Sequence, residues 1–439
     1  MKNTLPEKKF LERNSLLTDL FEITHIRTVY NLFMVTFILF FLHTAVNDII
    51  ESGTLLLGTV TIRKGFANLP TCLYIWSLMQ ISTLGVYVAF NFWSYSRLQR
   101  LPKYLTARKL WDYGWLTIYI MYQVLFIIFP NRTINRENLG IACNLIILME
   151  QLRLIMKNHA FVRSVAPRFL SYKPHSDISP PSGPRFSQYL YFLFAPTLLY
   201  RDEYPRTKKI RWKFVIQNFA QVGLVIFYFA FILEHFVAPV FYSSGAQPLE
   251  PMRFVKNIID ASIPGILFFI SMNYLLLHAW MNAWAEMLRF ADRLFYKDWW
   301  NSTSYRMYHR TWNVVVQDWL YAYIYKDMYE IVVPRNKSLA TFAVFLISAI
   351  WHEYIFAFAL HFFYPVLLAE FGGVGSILVL CNVLVSNISI WVSFCIGNGI
   401  LVSLYATEYY ARYNCSPYSD YYADLLLPRS WNCQRQLVV

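Results

Sequence analysis

Long runs of apolar residues recur from one end of this chain to the other, separated by polar segments. A helix rises about 1.5 Å per residue, so about twenty apolar residues cross the roughly 30 Å hydrocarbon core of a bilayer. The runs predict membrane-spanning helices at 28–48, 73–96, 111–129, 140–156, 214–241, 258–280, 339–369, 373–390 and 392–411. The pattern therefore predicts an all-α integral membrane protein with about nine transmembrane helices plus membrane-surface helices.

The polar segments differ in their content of Lys and Arg. On one side of the membrane, segments 1–27, 97–109, 157–213 and 289–310 hold 5, 5, 11 and 5 of these residues. On the other side, segments 49–72, 130–139 and 242–257 hold 2 each. Cytoplasmic loops are the ones enriched in Lys and Arg, so the N-terminus is predicted to be cytoplasmic and the C-terminus luminal. We divide the chain into a short cytoplasmic segment 1–27, a membrane domain 28–411 and a luminal tail 412–439.

Composition supports this class and argues against others. Of the 439 residues, 57% are hydrophobic and only 15% are charged, a balance at which a water-soluble protein would aggregate. The net charge is +13, but the basic residues are spread between the apolar runs, so we expect no nucleic-acid surface. The six cysteines lack metal-ligand spacing, so no metal site is expected. Asn131-Arg132-Thr133 fits a glycosylation acceptor in a predicted luminal loop.

An ionisable pair, His352 and Glu353, lies inside the apolar run that begins near Ala340. Ionisable residues at membrane depth are costly and are functional candidates, although a histidine that only hydrogen-bonds a neighbouring helix is an equally good reading of His352 alone. Upstream, Asn313 and Gln317 are four residues apart, which predicts one face of a helix. This set suits acyl transfer from a thioester to an alcohol: histidine takes the hydroxyl proton and Asn313 binds the oxyanion.

The run Phe295-Tyr296-Lys297-Asp298-Trp299-Trp300-Asn301 resembles the FYxDWWN signature of the membrane-bound O-acyltransferase family. Three further segments resemble its sterol O-acyltransferase branch: His25-Ile26-Arg27-Thr28, Phe192-Leu193-Phe194-Ala195-Pro196-Thr197 with Tyr200-Arg201-Asp202, and Arg429-Ser430-Trp431-Asn432-Cys433. The resemblance implies that fatty acyl-CoA enters from the cytoplasm as a substrate, without a cofactor, and that a sterol enters from the bilayer. It also implies an endoplasmic reticulum membrane protein, surrounded by membrane lipids, that forms a homo-oligomer.

The same resemblance assigns roles to particular residues. His352 and Asn313 match the family's catalytic histidine and asparagine, and His25 matches a position associated with sterol contact. Cys415 and Cys433, in the predicted luminal tail, match the positions of a family disulfide, and such a bond persists in an oxidising compartment. The acyl-CoA site is implied to include Arg310, Asn313, Gln317, Tyr325, Lys337 and Ser348.

Gln317 is a departure, because the family usually has a second histidine there. Glutamine donates and accepts hydrogen bonds but exchanges no proton at neutral pH, so we interpret this position as a binding contact, or else the enzyme as slower. The short N-terminal segment is a second departure and puts a family-like assembly region there in doubt.

Three alternatives stay open at this point. A diacylglycerol acyltransferase of the same family shares the signature, a multi-span transporter shares the apolar runs and the buried polar groups, and an inactive regulatory member is compatible with Gln317.

Overall fold

The computed structural model describes residues 5–53, 58–100, 105–172, 179–245, 250–431 and 433. Within these ranges the chain is helical and contains no β-strand, only isolated bridges. The first helices are α1 (Leu16–Leu20), α2 (Thr24–Ser52), α3 (Thr59–Gly65), α4 (Leu69–Tyr95), α5 (Leu105–Glu137) and α6 (Ile141–Leu170). Next come α7 (Phe186–Phe194), α8 (Trp212–Ile232), α9 (Ala238–Phe241), α10 (Pro251–Asn273), α11 (Met281–Met287) and α12 (Tyr305–Thr311). The last are α13 (Val314–Leu320), α14 (Lys337–Leu360), α15 (Ser376–Leu380), α16 (Asn387–Asn414) and α17 (Tyr421–Leu426).

Several junctions in this series widen into π-helical turns, and one short segment is a 3₁₀ turn. The π-helical segments are Ser96–Arg100, Leu233–Val237, Tyr274–Trp280, Tyr321–Tyr325, Met328–Val332 and Leu368–Gly375, and the 3₁₀ turn is Trp299–Asn301. Such turns are frequent at functional sites, and three of the six π-helical segments lie between Tyr321 and Gly375, beside the predicted site.

The predicted all-α membrane fold is confirmed, but the count of nine spans is not. Within the described ranges, seven helical segments are long and apolar enough to cross a bilayer. They are Thr24–Ile50, Leu69–Gln99, Thr106–Glu137, Trp212–Phe241, Pro251–Met287, Lys337–Leu360 and Asn387–Asn414. The predicted spans 140–156 and 373–390 are not among them.

Charge explains the first difference. Helix α6 covers the predicted span 140–156, but it carries Glu150, Arg153 and Lys157. The protein itself satisfies these groups: Arg153 Nη2 donates to Glu150 Oε1 at 2.6 Å, and Lys157 Nζ donates to the Ala195 carbonyl at 2.7 Å. An apolar helix with such a polar face is stable where protein surrounds it, and much of α6 is buried.

An interruption of the helix explains the second difference, so the prediction of one helix over 373–390 is wrong. Helix α15 ends at Leu380, and Asn382 then adopts a left-handed conformation with φ 50°. The following residues are extended, since the Val385 N–H donates to the Thr303 carbonyl at 3.1 Å. Ser386 caps the start of α16 by accepting from the Ser389 N–H. Apolar composition continues across this break, which is why the pattern did not reveal it.

Asn131, whose local sequence fits a glycosylation acceptor, lies in a helix rather than in the predicted loop. Helix α5 continues through Asn131 to Glu137, so the predicted loop at 130–139 is mostly helix. The Asn131 amide is buried and donates to the Tyr354 hydroxyl at 2.7 Å. A buried, helical and hydrogen-bonded amide is not available for modification.

Helices α10 and α16 pack closely against each other. A Cβ at Gly399 would lie 2.6 Å from the Ile258 carbonyl oxygen, so only glycine permits this approach. Small residues at helix crossings let backbones pack closely within a membrane. The pair provides a rigid base on which α12 packs, through Tyr308 against Phe394 at 4.6 Å.

Residues 5–20 run across the segment 289–320, and we call them the crossing segment. The Arg13 N–H donates to the Ala291 carbonyl at 2.9 Å, and the Arg293 N–H donates to the Arg13 carbonyl at 3.1 Å. Arg13 also pairs with the buried carboxylate of Asp292 at 2.7 Å. The N-terminus is thus fastened to a part of the chain almost 300 residues away.

Candidate active site

The signature segment 295–301 is a structural element that holds α12 and α13 in place. Phe295, Tyr296 and Trp299 are buried in the largest hydrophobic cluster of the fold. The Lys297 N–H donates to the Thr311 carbonyl at 2.8 Å, and the Val314 N–H donates to the Phe295 carbonyl at 2.9 Å. The first bond fixes the end of α12 and the second fixes the start of α13.

The other side chains of the signature lie nearer the surface. Asp298 and Asn301 are exposed, whereas Trp300 is half-buried and its carbonyl accepts from Asn387 at 2.7 Å. None of these groups faces His352 in a contact that the described part of the chain records. Within the described part of the chain, the signature thus holds α12 and α13 through packing and backbone hydrogen bonds.

Tyr296 connects this scaffold to other elements. Its hydroxyl lies 2.7 Å from Nδ1 of His278 in the π-helical turn after α10, and it accepts from the Leu17 N–H at 3.3 Å. Asn282 extends the network, since its amide donates to the Ser15 hydroxyl at 2.9 Å. These hydrogen bonds connect the signature to residues 15–17 and to the π-helical turn Tyr274–Trp280.

His352 lies in the middle of α14 and is half-buried. Its Nδ1 is 2.7 Å from the carbonyl oxygen of Ser348, one turn earlier. A carbonyl only accepts, so Nδ1 carries the hydrogen and Nε2 keeps its lone pair. The helix backbone therefore presents His352 as a base, and Ser348, which the sequence assigned to acyl-CoA, orients that base.

A phenylalanine closes one side of this imidazole. The ring of Phe371, in the π-helical segment Leu368–Gly375, lies 5.5 Å from the His352 ring. This segment approaches α14 closely, because a Cβ at Gly372 would lie 3.0 Å from that of Ala349. Phe345, two turns before His352, contacts Phe371 at 5.3 Å. The His352 ring thus lies beside an apolar aromatic surface formed by Phe345 and Phe371.

Asn313 lies at the N-cap of α13 rather than within a continuous helix face, which corrects the predicted arrangement with Gln317. Its Oδ1 accepts from the Val316 N–H at 3.1 Å, and its carbonyl accepts from the Gln317 N–H at 3.0 Å. The cap occupies the amide oxygen and leaves the two N–H donors of Nδ2. Gln317 is half-buried one turn later. No hydrogen bond joins Asn313 to His352 in the described ranges.

The other acyl-CoA candidates occupy three different places. Arg310 is exposed and lines a cavity of about 360 Å³ with Lys297 and Arg306, which gives that cavity a strongly basic wall. Tyr325 stacks between Tyr321 and Tyr329, at 5.7 and 5.9 Å. Lys337 is the exposed first residue of α14, about three turns before Ser348 and four before His352 on the same helix.

The two remaining assignments lie away from this region. His25 is exposed at the second residue of α2. Cys415 and Cys433 form a disulfide that ties the tail to the end of α16. Arg429 in the same tail forms a two-pronged ion pair with Asp424, with both bonds at 2.7 Å.

Sequence reasoning did not identify His309, on α12. Its imidazole lies 5.2 Å from Phe371, the ring that also contacts His352. Burial and, secondarily, the nearby His352 lower the pKa of His309 to about 3, so the ring is uncharged at neutral pH. The only sequence signal was the histidine itself next to Arg310, which has no distinguishing spacing.

The sequence profile of the membrane-bound O-acyltransferase family matches residues 62–407. The chain belongs to this family, whose members are acyltransferases embedded in membranes. The comparison proteins narrow the resemblance further. Sterol O-acyltransferase 1 of Cricetulus griseus is 41% identical over 98% of this chain and 79% of its own length. Sterol O-acyltransferase 2 of Homo sapiens is 39% identical over 97% of this chain and 80% of its own length.

Proposed function

We propose that this protein is an acyl-CoA:sterol O-acyltransferase that forms a steryl ester and free CoA. The observation that carries the mechanism is the bond from His352 Nδ1 to the Ser348 carbonyl, which leaves Nε2 as a proton acceptor beside an apolar wall. The names of the relatives, over nearly the whole chain, support the sterol as acceptor.

The reaction follows from the groups present. Nε2 of His352 takes the proton of the sterol hydroxyl while its oxygen attacks the thioester carbonyl. The carbonyl oxygen gains negative charge, which the Nδ2 donors of Asn313 stabilise. The C–S bond then breaks, the ester is formed, and the imidazolium returns its proton to the departing CoA thiolate. A thioester is already activated, so no covalent enzyme intermediate is required.

Substrate approach is assigned from charge and exposure. The basic cavity at Lys297, Arg306 and Arg310 suits the phosphates of CoA, because guanidinium and ammonium groups bind phosphate oxygens strongly. This places CoA on the Lys- and Arg-rich face, which we assign to the cytoplasm. The sterol would arrive through the bilayer, with His25 as its predicted contact.

Location and assembly complete the proposal. Seven candidate spans make the protein multi-pass. We assign it to the endoplasmic reticulum membrane, with a cytoplasmic N-terminus, a luminal tail stabilised by its disulfide, and a homo-oligomeric state. Acyl-CoA is consumed as a substrate, and neither a cofactor nor a metal takes part.

The test is product analysis in microsomes from cells that lack their own sterol esterification. With labelled oleoyl-CoA and either sterol or diacylglycerol, we expect mainly steryl ester, also when acyl-CoA is saturating. His352→Ala should lower the rate by about 10²–10⁴, the usual cost of removing a general base. His43→Phe, on the exposed surface of α2, is the matched control and should retain activity.

Other products would discriminate between the alternatives. Triacylglycerol as the main product would make diacylglycerol the acceptor and leave the His352 mechanism intact. No acyl transfer from a correctly inserted protein would reject the enzyme and favour a transporter or a regulatory member.

A further inference from the structure

Helix α12 separates two kinds of environment on its two sides. Tyr308 is buried against Phe394 and Trp312, in the core that contains the signature. His309, the next residue, points the other way, and its ring lies 4.8 Å from Phe345 in an edge-on contact. It therefore faces α14, the helix that carries His352.

Two imidazoles lie against the same aromatic ring. Phe371 is 5.2 Å from the ring of His309 and 5.5 Å from that of His352. Phe345 and His352 are seven residues apart on α14, so they share a helix face, and His309 lies over that face. The electrostatic influence of His352 on His309 agrees with this proximity.

The imidazole of His309 makes no hydrogen bond within the described ranges. Over the described ranges its recorded contacts are all with aromatic rings, and neither ring nitrogen has a hydrogen-bond partner. Other histidines do form hydrogen bonds: buried His278 bonds Tyr296, and His361 bonds Asn144 and Asn135. Nor is His309 sealed in the manner of His159, whose Nε2 is buried without a partner.

A histidine in this position carries one N–H donor and one lone pair, because it is neutral at the pH of the cell. A hydroxyl that gives its hydrogen to His352 Nε2 still has lone pairs on its oxygen that need a donor. Phe345 and Phe371 offer none, so an alcohol at Nε2 would be left with an unsatisfied oxygen, which weakens its binding. His309, whose ring contacts both Phe345 and Phe371, carries such a donor.

We propose that His309 binds the hydroxyl of the acyl acceptor, donating its ring N–H to the hydroxyl oxygen while His352 accepts the hydroxyl proton. The inference rests on the proposed acyl transfer and adds to it a residue specific for the acceptor. It assigns the acceptor hydroxyl to the space between α12 and α14, in front of Phe371. His309 is then a substrate-binding residue, and its loss affects the acceptor rather than acyl-CoA.

The experiment compares three substitutions in full-length protein in microsomes. His309→Gln keeps an N–H donor, His309→Met is unbranched and of similar size without a donor, and His309→Phe keeps an aromatic ring without a donor. We expect Met and Phe to raise the KM for sterol about tenfold, with Gln closer to wild type. The KM for oleoyl-CoA should stay within twofold in all three. His43→Phe is the control for a histidine exposed on α2.

A second measurement tests the hydrogen bond to the sterol hydroxyl separately from the rest of the sterol. A sterol hydrocarbon that lacks the hydroxyl should inhibit wild type and His309→Phe with the same inhibition constant, because it never made the lost hydrogen bond. A purely structural role for His309 would weaken this inhibitor in parallel with the substrate.

The outcomes separate the two proposals. An unchanged sterol KM in both Met and Phe variants, or an equal rise for sterol and oleoyl-CoA, overturns the role of His309. If wild type forms no steryl ester, the proposed function fails instead. If His309→Phe does not accumulate, the Gln and Met pair decides the question, since the two differ mainly in the donor.

Discussion

Lys8 and Asp318, 310 positions apart in the sequence, form a partly buried ion pair. Asp318 follows Gln317 on α13, so this pair fastens the crossing segment to the helix that Asn313 caps. Burial raises the pKa of the Asp318 carboxyl, and Lys8 opposes that rise. The N-terminal residues are thus part of the support of the proposed active site.

Lys8→Met should destabilise the protein and lower acyl transfer, because it leaves a shielded carboxylate without its cation. Exposed ion pairs contribute about 0–1 kcal/mol to the free energy of unfolding. Because this pair is partly buried, we expect its contribution to be no smaller than that of an exposed pair. The pKa of Asp318 would rise further in the folded state, so folding would favour the protonated form. The loss should therefore grow as pH rises from about 4 towards neutrality.

Thermal stability of purified protein in detergent at pH 5 and pH 7 measures this effect. Lys9→Met is the control, because Lys9 is the adjacent cation and is exposed. A destabilisation equal in the two variants, or larger at pH 5, would contradict the role of the ion pair.

Asn313 gives a test that separates capping from catalysis. Asn313→Asp keeps an oxygen for the Val316 N–H but loses the amide donors, whereas Asn313→Ala loses both. If Nδ2 binds the oxyanion, both variants should lower kcat by about 10²–10³, with little effect on acyl-CoA binding. Single-turnover rates and acyl-CoA affinity provide the measurement. An active Asp variant would show that Asn313 serves only as a cap.

Gln317→His should leave activity equal to wild type or raise it. The substitution places the residue usual in the family at a half-buried position one turn after Asn313. Gln317→Leu is the control, since it has a similar size but no hydrogen-bonding group. Steryl ester formation at saturating substrates measures the effect. A large loss in the His variant would show that the site has been reshaped around glutamine.

Because of the ion pair of Asp424 and Arg429, we expect the stability of the C-terminal tail to depend on pH. Hydrogen bonds from Arg429 hold the pKa of Asp424 below its ordinary value. Folding therefore favours the ionised form, and the stabilisation is present above about pH 4 and lost as pH falls further. Asp424→Asn should make the tail more sensitive to protease at pH 5–8, with the difference from wild type disappearing in stronger acid.

Limited proteolysis of permeabilised microsomes over this pH range measures the effect. Glu203→Gln, an exposed carboxylate elsewhere in the chain, is the control and should not differ from wild type. A difference between Asp424→Asn and wild type that grew in acid would have the wrong sign. In sealed microsomes the tail should be protected altogether if it is luminal.

The apolar pattern predicted most of the membrane helices, because a long apolar run has few other stable arrangements in lipid. It did not reveal the buried polar groups of α6 or the interruption at residues 381–386. In the first case protein, not lipid, surrounds Glu150 and Lys157, and in the second a left-handed Asn382 ends a helix without any change in hydropathy. Both features arise from tertiary contacts and backbone conformation, which hydrophobicity does not encode.

For a similar reason, the sequence revealed some residues of the candidate site but not others. His352 was identifiable because an ionisable residue is unusual in an apolar run. Its tautomer was not, since that depends on the Ser348 carbonyl. His309 becomes a candidate only when α12 and α14 are packed together around Phe345 and Phe371. The roles of His25 and the acyl-CoA residues stay predictions.

The crossing segment also constrains how the chain is made. Phe10 packs on Phe290, and Arg13 and Lys8 pair with residues 279 and 310 positions later. At about 5–20 residues per second, a ribosome needs about 15–60 s to synthesise the intervening chain. Throughout that interval the residues that contact the N-terminal segment have not been synthesised. The segment is therefore accessible to chaperones, proteases and modifying enzymes. A nascent chain arrested before residue 290 displays a free N-terminus, so its accessibility marks how far synthesis has progressed.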